Sequence, residues 1–396
     1  MINIGWIIDS KYRELSRLYS LKKRLEKKKV KLVFFNKLNF ELGIKSYSLS
    51  ALIIPNLWEI GLKMVDIAKH LDVPKIYVYH TECFEESENY LKLKYPISKL
   101  KNINSIFCHT KIECEFLKKN NFENYKFVGH YKYFNSKKNS QRERNQKKII
   151  GLTSTNKYLA NPHTNSLIHI INRRCEDEFA RDYLKYEIDY IFLLTNLIKF
   201  CKNNNFKILF RPHPLEQNNR YDLLKNDFFE VDYSYDIKKF FGKIDVLLNH
   251  ISSSSFDAIM NDVPVINICN LFENLKNFQD LYEFPPAQIG KKIEKFEDIK
   301  SILENDKNLE NLVYENKFLK NEIIEKIFNK NQDPLTILES LLSNEKTSPK
   351  ILRKLVFFPI FFFKQILTNL KNNRYELFNS FNFKDSKLLK KMDEKS

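Results

Sequence analysis

Short apolar runs alternate with longer amphipathic stretches along most of this chain, the pattern a parallel sheet covered by helices leaves in a sequence. The first run spans 2–8 and ends at Asp9, and apolar positions at helical spacing follow over 12–29. Strands are predicted over 31–35, 51–54, 75–79, 105–108 and 125–128, with helices over 62–71 and 111–119 between them. A second series opens with a strand over 148–152 and a long helix over 182–203. It continues as strand 207–210, helix 237–241, strand 246–249, helix 254–261 and strand 264–268, and residues 293–342 read as charged helix.

Between the two series lies 136–148, SKKNSQRERNQKK, which is polar, charged and aperiodic, as an inter-domain linker is. The expected fold is therefore α/β: two tandem Rossmann-like domains, 1–135 and 149–345, joined by that linker. A cleft is expected between them, at the carboxyl ends of both sheets, where open α/β folds bind ligands. A length of 396 residues suits two cores. The segment 346–396 is different in kind. Its stretch 351–370, ILRKLVFFPIFFFKQILTNL, sets a Phe cluster among Lys and Arg, and Pro359 divides it into two short pieces. It is too short and interrupted to span a bilayer. Two readings stay open: peripheral contact with an inner membrane surface, or a helical tail packed on the protein itself.

A formal net charge of +17 invites a nucleic-acid reading. The lysines are scattered, however, and no zinc-finger spacing, aromatic RNP strand or basic helical stripe accompanies them, so nucleic acid is not an expected partner. A basic surface also suits nucleotide-activated substrates and anionic lipid. Glycine numbers only seven, which excludes a glycine-rich phosphate loop. Six cysteines without a CxxC pair read as reduced thiols of a cytoplasmic protein, and the opening MINIGWIIDS reads as a strand rather than a leader. No His/Asp cluster has metal-ligand spacing, so no metal and no cofactor are expected.

Two strand ends carry the most chemistry. Arg211, Pro212, His213 and Pro214 follow the run KILF, and the prolines would stiffen a loop offering Arg211 and His213 to a phosphate. The alternative is a rigid turn with an exposed histidine. Ser252, Ser253, Ser254 and Ser255 follow DVLLN and open a helix, which makes an anion site without glycine; the alternative is a plain serine cap. In the first half, Arg13 and Glu14 follow the first strand, and His130 follows KFVG, as acceptor or cleft candidates. Glu82 and then His80, after KIYVY, are the candidate general bases for an acceptor hydroxyl.

The ordered set Tyr12-Arg-Glu-Leu, the acidic segment after His80, Val128-Gly-His, Thr153 to Asn156, Arg211-Pro-His-Pro-Leu-Glu, and the four serines resembles the bacterial surface-carbohydrate biosynthesis proteins of GT-B type. More distantly, the His-Pro and multi-Ser pair resembles bacterial sialyltransferases, polysialyltransferases, Kdo transferases of capsule assembly, and CDP-glycerol glycerophosphotransferases. The resemblance implies a metal-independent GT-B glycosyltransferase using a CMP- or CDP-activated donor and a surface-polysaccharide or lipid-linked acceptor. His213 and the serines would meet the donor phosphate. The acidic motif of the sialyltransferases ends in glycine, whereas Cys83 stands here after Glu82. A UDP-N-acetylglucosamine 2-epimerase on a related scaffold and a non-catalytic nucleotide-binding scaffold are the other readings.

Overall fold

The computed structural model describes residues 2–9, 11–37, 40–81, 88–131, 147–154, 178–213, 216, 220–234, 237–272, 285–327 and 333–346. Glu82, the side chain of Arg13, the tail from 347 onward and all but 147–148 of the expected linker lie outside these residues. The chain divides into two compact units. One is Met1–Phe134 with the segment beginning at Ile324, and the other is Asn135–Ile323.

The first unit holds a six-stranded parallel sheet of β1 (Ile2–Ile8), β2 (Val30–Asn36), β3 (Ala51–Ile54), β4 (Ile76–Val78), β5 (Ser105–Cys108) and β6 (Tyr125–Phe127). Its order is β2-β1-β3-β4-β5-β6. Ile4, Trp6, Leu52, Ile54, Ile76, Val78 and Ile106 are fully buried along its strands, as both faces of a covered parallel sheet require. The second unit repeats the plan with β7 (Ile149–Thr153), β8 (Lys207–Arg211), β9 (Phe229–Val231), β10 (Val246–Asn249), β11 (Val265–Asn267) and β12 (Lys291–Lys292). Here the order is β12-β11-β10-β7-β8-β9. The chain runs outward from β7 through β8 to β9 and then crosses to β10 on the other side. The end of β7 is thus the switch point where such sheets open a ligand crevice.

The expected two parallel-sheet α/β domains are borne out, and several elements fall where hydrophobic period placed them. Glycine scarcity is met locally: the positive-φ turns at Asp72, Asn121, Asn205 and Asp262, which follow helices, use the polar residues that best tolerate that conformation. Several short elements escaped the pattern, among them the seven-residue helix Phe40–Ser46. The helix Glu88–Lys94, of seven residues, is too short to show a helical period, and β9 and β12 are too short to show alternation. Two exposed lysines make β12, a charged edge strand.

The helix Pro334–Ser343 groups with the first compact unit. It packs against Lys11–Lys27 of the first unit through buried Leu335, Leu338 and Leu342. Arg24 meets Asp333 at 2.8 Å, Lys28 meets Glu339 at 3.0 Å, and Lys75 meets Glu345 at 2.9 Å. An amphipathic helix shows which stripe it buries, but not which domain covers it.

Candidate functional site

In the second unit three strand ends are stitched to one another at the switch point. Ser154, just beyond β7, donates its backbone N–H to the Arg211 carbonyl at 2.9 Å. The Ser154 hydroxyl donates to the Glu216 carboxylate, and the Glu216 N–H reaches the His213 carbonyl at 2.9 Å. On the other side of β7, Thr153 Oγ1 lies 2.9 Å from Ser254 Oγ, and Ser254 Oγ lies 2.8 Å from Ser252 Oγ. The His-Pro turn and the serine run are therefore both fastened to the end of β7, although far apart in sequence.

The four serines divide by role. Ser252 and Ser254 form the hydroxyl chain with Thr153, while Ser255 is fully buried and turns its hydroxyl to the Ser252 carbonyl at 3.0 Å. Ser253 is exposed, stands at the helix start with φ −61°, and makes no side-chain cap. The cap reading thus fails for Ser253. Arg211 also differs from a free phosphate fork. Its Nη1 is engaged by Asp232 at 2.8 Å and Ser234 at 3.1 Å, with the guanidinium over the Phe240 ring. Half-buried His213 stands two residues beyond it.

Beneath these turns lies His250, which is fully buried. Its Nε2 is 3.0 Å from the Thr153 carbonyl, and its Nδ1 accepts from the Tyr186 hydroxyl. Burial pushes this imidazole down to about 4, so it is neutral and ties the long helix Glu178–Asn203 to the strand ends. Glu216, 2% exposed, is pushed up to about 8 by burial; hydrogen bonds from Ser154 and Tyr221 oppose that rise, and the Glu187 carboxylate adds to it. Thr153, Ser154 and Glu216 complete this arrangement; they stood in the motifs that carry the family resemblance but were given no site role.

The first unit gathers three histidines at the ends of neighbouring strands: His80 after β4, His109 after β5 and His130 after β6. All three are buried, at 2%, 0% and 3% exposure. The rings of His109 and His130 lie 4.6 Å apart, and His109 stands edge-on to Tyr79 at 4.5 Å. The Tyr79 hydroxyl donates to the Gly129 carbonyl at 3.0 Å and accepts the Tyr131 N–H at 3.2 Å, gripping the turn on both sides of His130. Gly129 adopts φ +80°, which suits glycine.

His80 Nε2 and both ring nitrogens of His109 have no hydrogen-bond partner among the described residues. Burial and then the Lys94 ammonium hold both imidazoles well below the ordinary range, and His80 further lowers His109. Both are neutral. His109 was not foreseen, because a histidine in SIFCHT has no local mark of its partners. Glu14 is 1% exposed, and its Oε2 accepts the Asp9 N–H at 2.7 Å, which makes it a brace for the turn after β1. Asp9 itself pairs with Lys37 and receives the Thr81 hydroxyl at 3.2 Å.

Among the described residues no helix is long and apolar enough to cross a membrane. Nor is any group of three or more His, Cys, Asp or Glu side chains among them placed to hold a metal ion. The described cysteines, Cys108, Cys114, Cys201 and Cys269, are free thiols.

Residues 176–324 match the family described as CDP-glycerol:poly(glycerophosphate) glycerophosphotransferase. The match contains both the His213 turn and the serine run. The minor teichoic acid biosynthesis protein GgaB of Bacillus subtilis (strain 168) is 33% identical over 100 residues, which is 25% of this chain and 11% of that protein. This chain thus aligns with only a small part of its relative. Among solved structures, a variant of the wall teichoic acid polymerase TagF has a TM-score of 0.51 at 11% identity, covering 86% of this chain and 88% of that one. A putative UDP-N-acetylglucosamine 2-epimerase from Listeria monocytogenes has a TM-score of 0.50 at 10% identity, covering 89% and 99%. These two likenesses establish the GT-B-type fold alone. The expected resemblance is borne out by the sequence matches, and through its second domain the chain resembles the bacterial surface-glycopolymer transferases of the CDP-glycerol type.

Proposed function

We propose that this protein is a surface-glycopolymer transferase, moving a glycosyl or polyol-phosphate group from a cytidine-nucleotide donor to a polysaccharide or lipid-linked acceptor. The observation that carries the reading is the fastening of the His213 turn, Ser252 and Ser254, which lie inside the segment that matches the CDP-glycerol transferases, to the end of β7 upstream of that segment. Hydroxyls and an imidazole set at a switch point suit a nucleotide phosphate. Such donors, held in place beforehand, stabilise the charge that gathers on the phosphate as it leaves.

On the acceptor side we propose His80 as the base, ahead of Glu82. A neutral imidazole whose Nε2 is not already engaged can take the hydroxyl proton. The acceptor oxygen then bonds to the transferred group while the bond to the nucleotide phosphate breaks, leaving its electron pair on the phosphate oxygen. Arg13 and His130 are retained as acceptor-side candidates, and Arg211 as a source of positive charge at the donor phosphate. Work at a cytoplasmic membrane face, with the tail as the point of contact, belongs to the same proposal, as does independence of a metal ion.

The test is calorimetric titration with CMP, CDP, UDP and GDP on the wild type and on His213→Ala. Selective binding of a cytidine nucleotide, weakened about tenfold or more in the variant, supports the reading, since one charge-assisted hydrogen bond is worth that much. A preference for UDP overturns the cytidine assignment in favour of a UDP-sugar enzyme such as the epimerase. No binding of any nucleotide overturns the site.

A further inference from the structure

Glu216 is a nearly buried acid that the proposed chemistry does not use, and its contacts give it a definite task. Its carboxylate receives the Ser154 hydroxyl, and its own N–H holds the His213 carbonyl at 2.9 Å. Ser154 grips the other end of the same turn, because its N–H holds the Arg211 carbonyl at 2.9 Å. One residue at the end of β7 therefore fixes the chain both before and after His213, and Glu216 is the hook by which it holds the far side. We propose that Glu216 is a positioning residue, whose carboxyl clamps the His213 turn to the end of β7 and so sets the imidazole against the donor phosphate. The proposal rests on the donor-site reading above.

The surroundings make the clamp sensitive to protonation. Around the carboxyl stand Ser154 from the end of β7, the backbone of His213, Tyr221 from the short helix Arg220–Leu224, and Tyr190 and fully buried Glu187 from the helix Glu178–Asn203. None of these is a cation. Burial raises Glu216 to about 8, so the neutral acid is the form held near neutral pH. Ionisation would place an uncompensated negative charge beside Glu187 and beside the phosphate that His213 is to meet. Deprotonation strengthens the hydrogen bonds that the carboxyl accepts, but the new charge should repel the ligand.

The test uses CDP as probe with full-length wild type, Glu216→Gln and Glu216→Ala. Glutamine keeps the shape and neutrality of the protonated acid, whereas alanine removes the hook. In the wild type CDP binding should weaken about tenfold or more as pH rises through 8. Glu216→Gln should bind within about threefold of wild type at pH 6.5 and show no such fall, while Glu216→Ala should bind about tenfold weaker even at pH 6.5. The same pH-dependent fall in Glu216→Gln, or wild-type binding by Glu216→Ala, overturns the proposal.

A second readout needs no nucleotide. The labelled ring of His213, followed by NMR, should show a step near pH 8 in wild type that is missing in Glu216→Gln. If that step is present but no nucleotide binds, the clamp stands and the donor-site reading falls. If the step is absent in wild type, the clamp itself falls.

Discussion

Lys94 and Glu113 form an ion pair at 2.6 Å with 1% and 2% of their side chains exposed, and both partners are tied to the histidines of the first domain. The backbone of Lys94 is bonded by His80, while Glu113 Oε2 accepts the backbone N–H of His109 at 2.6 Å. Glu113 also closes a reciprocal cap with Thr110 at the start of the helix Lys111–Lys119. One buried cation thus faces two imidazoles and favours their neutral forms.

Breaking that pair from one side should be costly. Lys94→Met leaves Glu113 buried without its cation, and a loss of about 3–5 kcal/mol is expected. Adding Glu113→Gln, which keeps an acceptor for the His109 N–H, should restore a good part of it. Urea unfolding of wild type, single and double variants measures the coupling, and equal losses in single and double would contradict the arrangement.

The serine run should not behave as a unit. Ser254→Ala removes a hydroxyl bonded to both Thr153 and Ser252, and should weaken nucleotide binding about tenfold at a stability cost of about 1 kcal/mol. Exposed Ser253→Ala should change neither. Titration calorimetry with CDP separates the two, and equal effects would place the hydroxyls wrongly.

Acid should destabilise this protein early. His80, His109 and His250 are depressed in the folded chain, the last to about 4, whereas their ordinary value is 6.5. Below 6.5 the unfolded chain takes up protons that the native protein refuses, so their contribution is fully present above 6.5 and is lost as pH falls toward the folded values. Glu216 acts oppositely. Its folded pKa of about 8 lies above its ordinary 4.5, so its contribution is greatest below 4.5 and fades as pH climbs through 8. Denaturation midpoints for wild type and His250→Gln, taken from pH 4 to pH 7, should show a shallower acid slope in the variant, whatever its absolute stability. An unchanged slope would mean that His250 is not the neutral strut described.

The helix Pro334–Ser343 should matter to the first domain and not to nucleotide binding. Leu338 is fully buried, and Leu338→Ala should cost about 2–5 kcal/mol through lost contacts and the cavity left behind. Thermal unfolding should reveal the loss while CDP affinity stays within about twofold at a temperature where the variant remains folded. A large fall in affinity would show that this helix supports the second domain instead.

How much of this could be read from the sequence depended on what each segment carries locally. Ile2–Ile8, Ala51–Ile54 and Val246–Asn249 are apolar runs bounded by polar residues, so strand type and place were visible. The His213 turn and the serines stand at strand ends, so their joint position could be expected once the alternation was seen. The Thr153 link to Ser254, the Ser154 hook on Glu216 and the approach of His109 to His130 depend on strand order. No short-range period encodes that order. Arg211 was expected to meet a phosphate, but a guanidinium suits phosphate and carboxylate alike, and Asp232, on the neighbouring strand end, engages it.

The return of the chain to its first domain has a consequence for how the molecule is made. Leu335, Leu338 and Leu342 leave the ribosome only after the whole of Asn135–Ile323 has been synthesised. At ordinary rates of translation that interval is roughly ten to forty seconds, far longer than a domain of this kind needs to collapse. During it the first sheet can form, but the apolar stripe of Lys11–Lys27 that receives the late helix stays uncovered. The second unit, continuous in sequence, can mature first, so that of the two the one translated earlier is the later to be finished.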